Sequence, residues 1–159
     1  MIPENFEYEH TDKFVKGFFA DCRWLSNFHV CPVKYQGVIY PSSENAYMAA
    51  KFPDQPVRDQ FVDITPKEAK KLGTSIRLSH AERVNWDLRR VDVMREILFD
   101  KFTRNLDLKQ KLLDTGDKYL QEKNWWHDEF WGICDGLGEN WLGQTLMSVR
   151  DELQRMGRN

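Results

Sequence analysis

The chain has 159 residues, 41% of them hydrophobic and 30% charged, and a net charge of −2. This balance suits one globular domain with a real core and excludes a disordered chain. It also excludes a global electrostatic pull toward nucleic-acid phosphates.

In chain order, Phe14 to Phe28 mixes aromatic and small polar residues and reads as a strand followed by a loop. Val33-Lys34-Tyr35 and Val38-Ile39-Tyr40 flank Gln36-Gly37, the pattern of a short hairpin. Pro41-Ser42-Ser43 stops that strand and offers a serine N-cap to a helix ending near Phe52, ahead of Pro53 and Pro56. Thr65-Pro66-Lys67-Glu68 predicts a helix start with a capping box, and Gly73 its terminator. The longest helix is expected from about Asn85 to Asn105. Leu88, Val91, Met94, Leu98 and Phe102 mark its apolar face, broken only by Arg95. A short helix spans about Leu106 to Asp114, before Gly116, and Tyr119-Leu120-Gln121 is a brief strand. Residues Asn124 to Glu139 read as a polar, irregular loop. The chain closes on an amphipathic helix from about Trp141 to Met156, with Leu142, Leu146, Val149 and Leu153 on one side. The fold class is α+β, predominantly helical with a small β-sheet.

No apolar run approaches the roughly eighteen residues of a membrane span. Met1-Ile2-Pro3-Glu4-Asn5 lacks the pattern of a signal peptide, so a cytoplasmic location is expected and no membrane partner. Cys22, Cys31 and Cys134 are too few and too scattered for a disulfide framework. Cys22, His29 and Cys31, with His127 and Cys134 from afar, lack the tight paired spacing of a zinc site, so no metal is expected. Arg89, Arg90, Arg95, Lys101 and Arg104 form a local basic group that reads as a solvated helix face. Six Trp, ten Phe and five Tyr supply both core and walls for a flat ligand.

Two segments can carry chemistry. Glu44 and Lys51 lie seven residues apart, so two helical turns put them on one face, about 10 Å apart along the axis, with Tyr47 between them. A carboxylate and an amine around an aromatic ring can frame a ligand. The same spacing equally describes an exposed Glu and Lys bracketing a core-facing Tyr. The second segment, Asp128 to Asn140, holds three glycines that would let the backbone approach a sugar or phosphate. It matches neither a P-loop nor a dinucleotide fingerprint, and an ordinary loop before a helix explains it as well.

Leu25-Ser26-Asn27-Phe28 and Tyr40-Pro41-Ser42-Ser43-Glu44-Asn45-Ala46-Tyr47 through Lys51-Phe52 belong to a longer set. It continues with Trp86, Met94, Lys101-Phe102, Leu112 to Asp117, Asp128-x-x-Trp131-Gly132 and Gly138-x-Asn140-x-Leu142-Gly143-x-x-Leu146-Met147-x-x-Arg150. In order and spacing this set resembles the NADAR (YbiA-like) superfamily from about Phe18 to Leu153. The resemblance implies one such domain over residues 1–159, with its core at about 14–156.

It also implies an N-glycosidase that needs no cofactor and hydrolyses a ribose C1′–N bond. The substrates implied are phosphoribosylamino-pyrimidine intermediates of riboflavin synthesis or, alternatively, ADP-ribose on guanine, with nucleic acid a partner only as that modified substrate. A non-catalytic module binding ADP-ribose-like nucleotides is the alternative from another class. On the enzyme reading Lys51 is the candidate amine, Glu44 a general acid or base, and Asp128 a second carboxylate. Trp86 and Trp131 would stack on the base. Asn27, Tyr47, Asp135 and Asn140 complete the expected substrate-binding set.

Overall fold

The computed structural model describes residues 1–159. In chain order its elements are β1 (Glu9–His10), β2 (Phe14–Lys16), a 3-10 turn (Ala20–Leu25), β3 (Val30–Tyr35), β4 (Val38–Ser42) and α1 (Ser43–Ala50). There follow α2 (Gln55–Arg58), α3 (Pro66–Ser75), α4 (His80–Arg104), α5 (Leu106–Asp114), β5 (Tyr119–Gln121), β6 (Lys123–Asn124), β7 (Ile133–Cys134) and α6 (Trp141–Met156). The architecture is the mostly helical α+β expected. Two compact units emerge, one of Asn27–Gln110 and one of Met1–Ser26 with Lys111–Asn159. No helix is long and apolar enough to cross a membrane.

The 27–110 unit is built around α1. β3 and β4 pair antiparallel through Gln36-Gly37, both at positive φ, as a tight hairpin turn demands. Cys31, Val33 and Tyr35 alternate inward along β3. β4 runs straight into Ser42, whose hydroxyl caps α1 by accepting from the Asn45 N–H at 3.1 Å. Asn45 then donates to the carbonyls of Phe61 and Ile64 at 2.9 and 2.8 Å, pinning the segment before α3. Every residue of α1 is buried, including Ser43, Glu44 and Asn45. A helix that buries polar groups on all sides is not amphipathic, which is why no periodic stripe announces it.

Four expectations change in this unit. Gly73 does not end α3, which continues to Ser75; the glycine is interior and buried. α4 begins at His80 rather than Asn85, because Ser79 and Glu82 form a capping box. Its buried stripe runs through Trp86, Val93, Met94, Ile97, Leu98, Lys101 and Phe102, whereas Leu88 is 81% exposed. The stripe is set by Trp86, two residues before Leu88, and that rotates Leu88 outward. Lys101 is also fully buried on the stripe, one turn after Ile97, and does not lie on a solvated basic face.

In the other unit β2 pairs antiparallel with β1 and parallel with β5, and α6 packs against β5. Leu142, Leu146, Val149 and Leu153 are buried along α6 as expected. Buried Arg150 donates from Nη1 to the Thr115 hydroxyl and the Lys118 carbonyl, tying α6 to the α5–β5 turn. The segment from Asn124 to Glu139 is more regular than its composition suggests. Its first residue lies in β6 and Ile133-Cys134 forms β7, and these strands pair in parallel.

Candidate active site

In the 27–110 unit five expected residues gather around α1. Glu44 occupies the first turn, where the helix dipole favours a carboxylate, yet only 7% of it is exposed. Its backbone N–H donates to the carbonyl of Asn27 at 3.0 Å, which seats the Asn27 loop on the N-terminus of the helix. The reading in which Glu44 is an exposed bracket is therefore overturned. The hairpin delivers α1 edge-first into the unit and carries the carboxylate inside with it.

Asn27 is itself 9% exposed, and its amide nitrogen donates to the Met94 sulfur at 3.6 Å. Its buried Oδ1 has no hydrogen-bond partner, and neither does the Oγ of fully buried Ser43. Two orphan acceptors at one helix N-terminus are costly when nothing donates to them. Ligand hydroxyls or amines would satisfy both.

Lys51 follows the last turn of α1 and is partly buried. Its ammonium nitrogen donates to the carbonyl of Gly73 at 3.0 Å. Burial holds its pKa below the ordinary lysine value; the positive charge of Arg83 pushes the same way, and Glu44 pulls it back up. Tyr47, 7% exposed, packs its ring 5.1 Å from that of Trp86 at a 50° tilt. Trp86 is 2% exposed and also carries the Arg89 guanidinium 5.0 Å from its ring. Trp86 thus backs Tyr47 and leaves little ring surface open for stacking. Arg89 is spent on structure too, donating to the Ala50 carbonyl at the C-terminal end of α1 and to Asn85.

The remaining expected residues lie together in the other unit, in the loop from β6 to α6. Asp128 Oδ1 accepts from the N–H groups of Phe130 and Trp131 at 3.2 and 2.8 Å. Its own N–H and carbonyl are both bonded to the side chain of Asn124, which is 2% exposed and also donates to the Glu122 and Ile133 carbonyls. Oδ2 of Asp128 carries no hydrogen bond in this arrangement. Gly132 follows Trp131 because a Cβ there would collide with the Glu122 carbonyl and the Asn124 amide. Trp131 sits edge-on to Phe130, with ring centroids 5.0 Å apart. Asp135 is exposed at φ 50, beside the Cys134 thiol. Asn140 adopts φ 54 and is 3% exposed; its amide donates to the Leu120 carbonyl and Tyr119 hydroxyl, and its Oδ1 accepts from the Glu122 N–H. Asn140 is thereby a framework residue of the loop. Nowhere do three or more His, Cys, Asp or Glu side chains cluster as metal ligands.

Arg83, Gly73, Ser43 and Asn124 are absent from the sequence-based set. Only Arg83 left a signal, three residues before Trp86 and hence on the same helix face. The other three matter through contacts made in the folded chain, which spacing does not encode.

Comparison with known proteins adds the following. The family model described as the NADAR domain matches residues 9–154. A riboflavin biosynthesis protein of Vibrio vulnificus is 40% identical over 82% of this chain, which spans only 35% of that protein's length. An N-glycosidase of Nostoc punctiforme is 37% identical, with 83% of this chain and 86% of that protein aligned. The N-glycosidase YbiA of Escherichia coli is 35% identical over 81% of this chain and 80% of its own. The NMR structure of E. coli YbiA superposes with a TM-score of 0.81 at 29% identity, covering 98% of this chain and 94% of that one.

Proposed function

The chain belongs to the NADAR family, and from that premise we propose that it is an N-glycosidase hydrolysing the C1′–N bond of a ribosylamino compound. The observation that carries the reading is the buried Glu44 in the first turn of α1 with a partly desolvated Lys51 at the end of the same helix. A pair so placed is poorly explained by stability alone, because burying ionisable groups is expensive. Relatives that cover most of this chain and bear the name N-glycosidase support the assignment.

In the proposed reaction Glu44 transfers a proton to the departing amine of the base as the C1′–N bond breaks. Lys51, in its neutral form, attacks C1′ of the opening sugar and forms an imine, with the ring oxygen leaving as the C4′ hydroxyl. Water then adds to the imine carbon, and its collapse returns the lysine amine and releases the free sugar. The unbonded Oδ1 of Asn27 accepts from the substrate, and Tyr47, backed by Trp86, forms an apolar wall for the sugar or base. In the other unit Asp128 spends its Oδ1 on holding its own loop.

The preferred substrate is a phosphoribosylamino-pyrimidine of the riboflavin route, a reading supported by the Vibrio relative's name. ADP-ribose on guanine presents the same bond type and is the alternative. The net charge of −2 does not favour a polyanionic carrier. Three free cysteines fit a reducing, cytoplasmic setting. Supplying both substrates and measuring released base by chromatography tests the proposal. Release of the amino-pyrimidine is expected; release of base from neither substrate by the folded protein would refute the glycosidase.

A further inference from the structure

We propose that Gly73 is a positioning residue for Lys51, a role that rests on the N-glycosidase reading above and extends it to α3. A glycine inside a helix weakens it by about 1 kcal/mol relative to alanine, so its place within α3 asks for a local cause. The cause is how close α1 comes. A Cβ at position 73 would stand 2.5 Å from the Met48 sulfur, 2.9 Å from its Cβ and 3.0 Å from its Cγ. The Met48 Cβ is fixed to the backbone of α1, so at least one of these contacts cannot be relieved by rotating a side chain. At position 73 the two helices therefore come too close for a Cβ, and only a residue without a side chain fits.

The same residue supplies the carbonyl that accepts from the Lys51 ammonium at 3.0 Å. The two facts are linked, since the close approach that requires glycine brings that carbonyl within reach of a side chain on the neighbouring helix. A neutral amine with one N–H held by Gly73 has its lone pair directed away from α3. Position 73 thus sets both where the nucleophile stands and which way it faces. Misplacing a reacting group by about 1 Å can cost on the order of 10²-fold in rate.

The test uses the full chain and three proteins: wild type, Gly73→Ala, and Gly73→Ala with Met48→Gly, which removes the sulfur, Cγ and Cβ from the clash. Two readouts are taken on each. The first is the rate at which trace acetic anhydride labels Lys51 relative to the exposed lysines, followed by mass spectrometry. The second is kcat and KM for release of base. In Gly73→Ala the labelling of Lys51 is expected to rise several-fold as the helices part, and kcat to fall about 10- to 100-fold with KM within about threefold. The double variant should move both values back toward wild type.

Unchanged labelling and kcat in a folded Gly73→Ala would overturn the proposal. So would a double variant no closer to wild type than the single one. If the wild type releases no base, the glycosidase reading fails alone, and labelling still decides the role of Gly73. Should Gly73→Ala not fold, the scalar coupling between Lys51 15Nζ and Gly73 13C′ in labelled wild type replaces it. Its presence supports the positioning bond and its absence overturns it.

Discussion

Helix α1 and the loop from β6 to α6 both hold buried polar side chains, and they spend them in opposite ways. In the loop, Asn124 and Asn140 turn nearly all their capacity on neighbouring backbone, and Asp128 commits one oxygen to its own turn. Around α1, Asn27 and Ser43 keep acceptors that the protein does not satisfy, and Lys51 makes a single hydrogen bond to a carbonyl. A fully bonded network makes a rigid frame, whereas an incompletely bonded one carries a cost that a substrate can relieve. Burial alone therefore does not separate a frame residue from a binding residue. The state of its hydrogen bonds does.

Substitutions can break or sharpen this contrast. The largest effect is expected for Lys51→Ala, with kcat reduced on the order of 10³-fold or more through loss of the nucleophile, measured by single-turnover release of base. Glu44→Gln should follow at about 10²- to 10⁴-fold, the range for losing a general acid or base. In the loop, Asn124→Ala should act on stability instead. Leaving the Asp128 and Ile133 carbonyls without this donor and the Asp128 N–H without its acceptor is expected to cost about 2–4 kcal/mol in urea denaturation.

Asn27→Ala should show the reverse profile. Its Oδ1 contributes no bond to the fold, so stability should change by less than about 1 kcal/mol while KM rises about tenfold. A large stability loss there would erase the distinction between the two regions.

The smallest effect concerns pH. Only the neutral amine of Lys51 attacks, so kcat should rise with pH through a midpoint below the ordinary lysine range, because burial and Arg83 both depress that pKa. Arg83→Gln removes one depressing charge and should move the midpoint to higher pH. A midpoint moving to lower pH would exclude the coupling.

Elements whose cause is local were legible in the sequence. The Gln36-Gly37 hairpin, the serine cap of α1, the Thr65 capping box and the apolar side of α6 all follow from residues near one another in the chain. The capping box at Ser79 is equally local, but it precedes the apolar stripe by a turn, so hydrophobic periodicity does not mark it. The tilt of α4 was not legible, since whether Trp86 or Leu88 faces inward depends on what packs against the helix.

The same division runs through the site. The family motif points to Glu44 and Lys51, while spacing left them open to an ordinary surface reading until burial closed it. Gly73 read as a helix terminator because glycine's commonest local role is that one. Its actual setting, a close approach between α3 and α1 with a carbonyl on Lys51, depends on contacts 22 residues apart. Trp86 packs against Tyr47 and Asn140 bonds the backbone beneath its loop, contacts that the spacing of the motif does not encode.

The most direct measurement of the central claim is borohydride trapping during turnover of a phosphoribosylamino-pyrimidine, with the adduct located by peptide mass spectrometry. A reduced ribose phosphate adduct on Lys51, lost in Lys51→Ala, is the predicted result. Base release at the wild-type rate by Lys51→Ala, with no adduct on Lys51 in the wild type, would contradict the account.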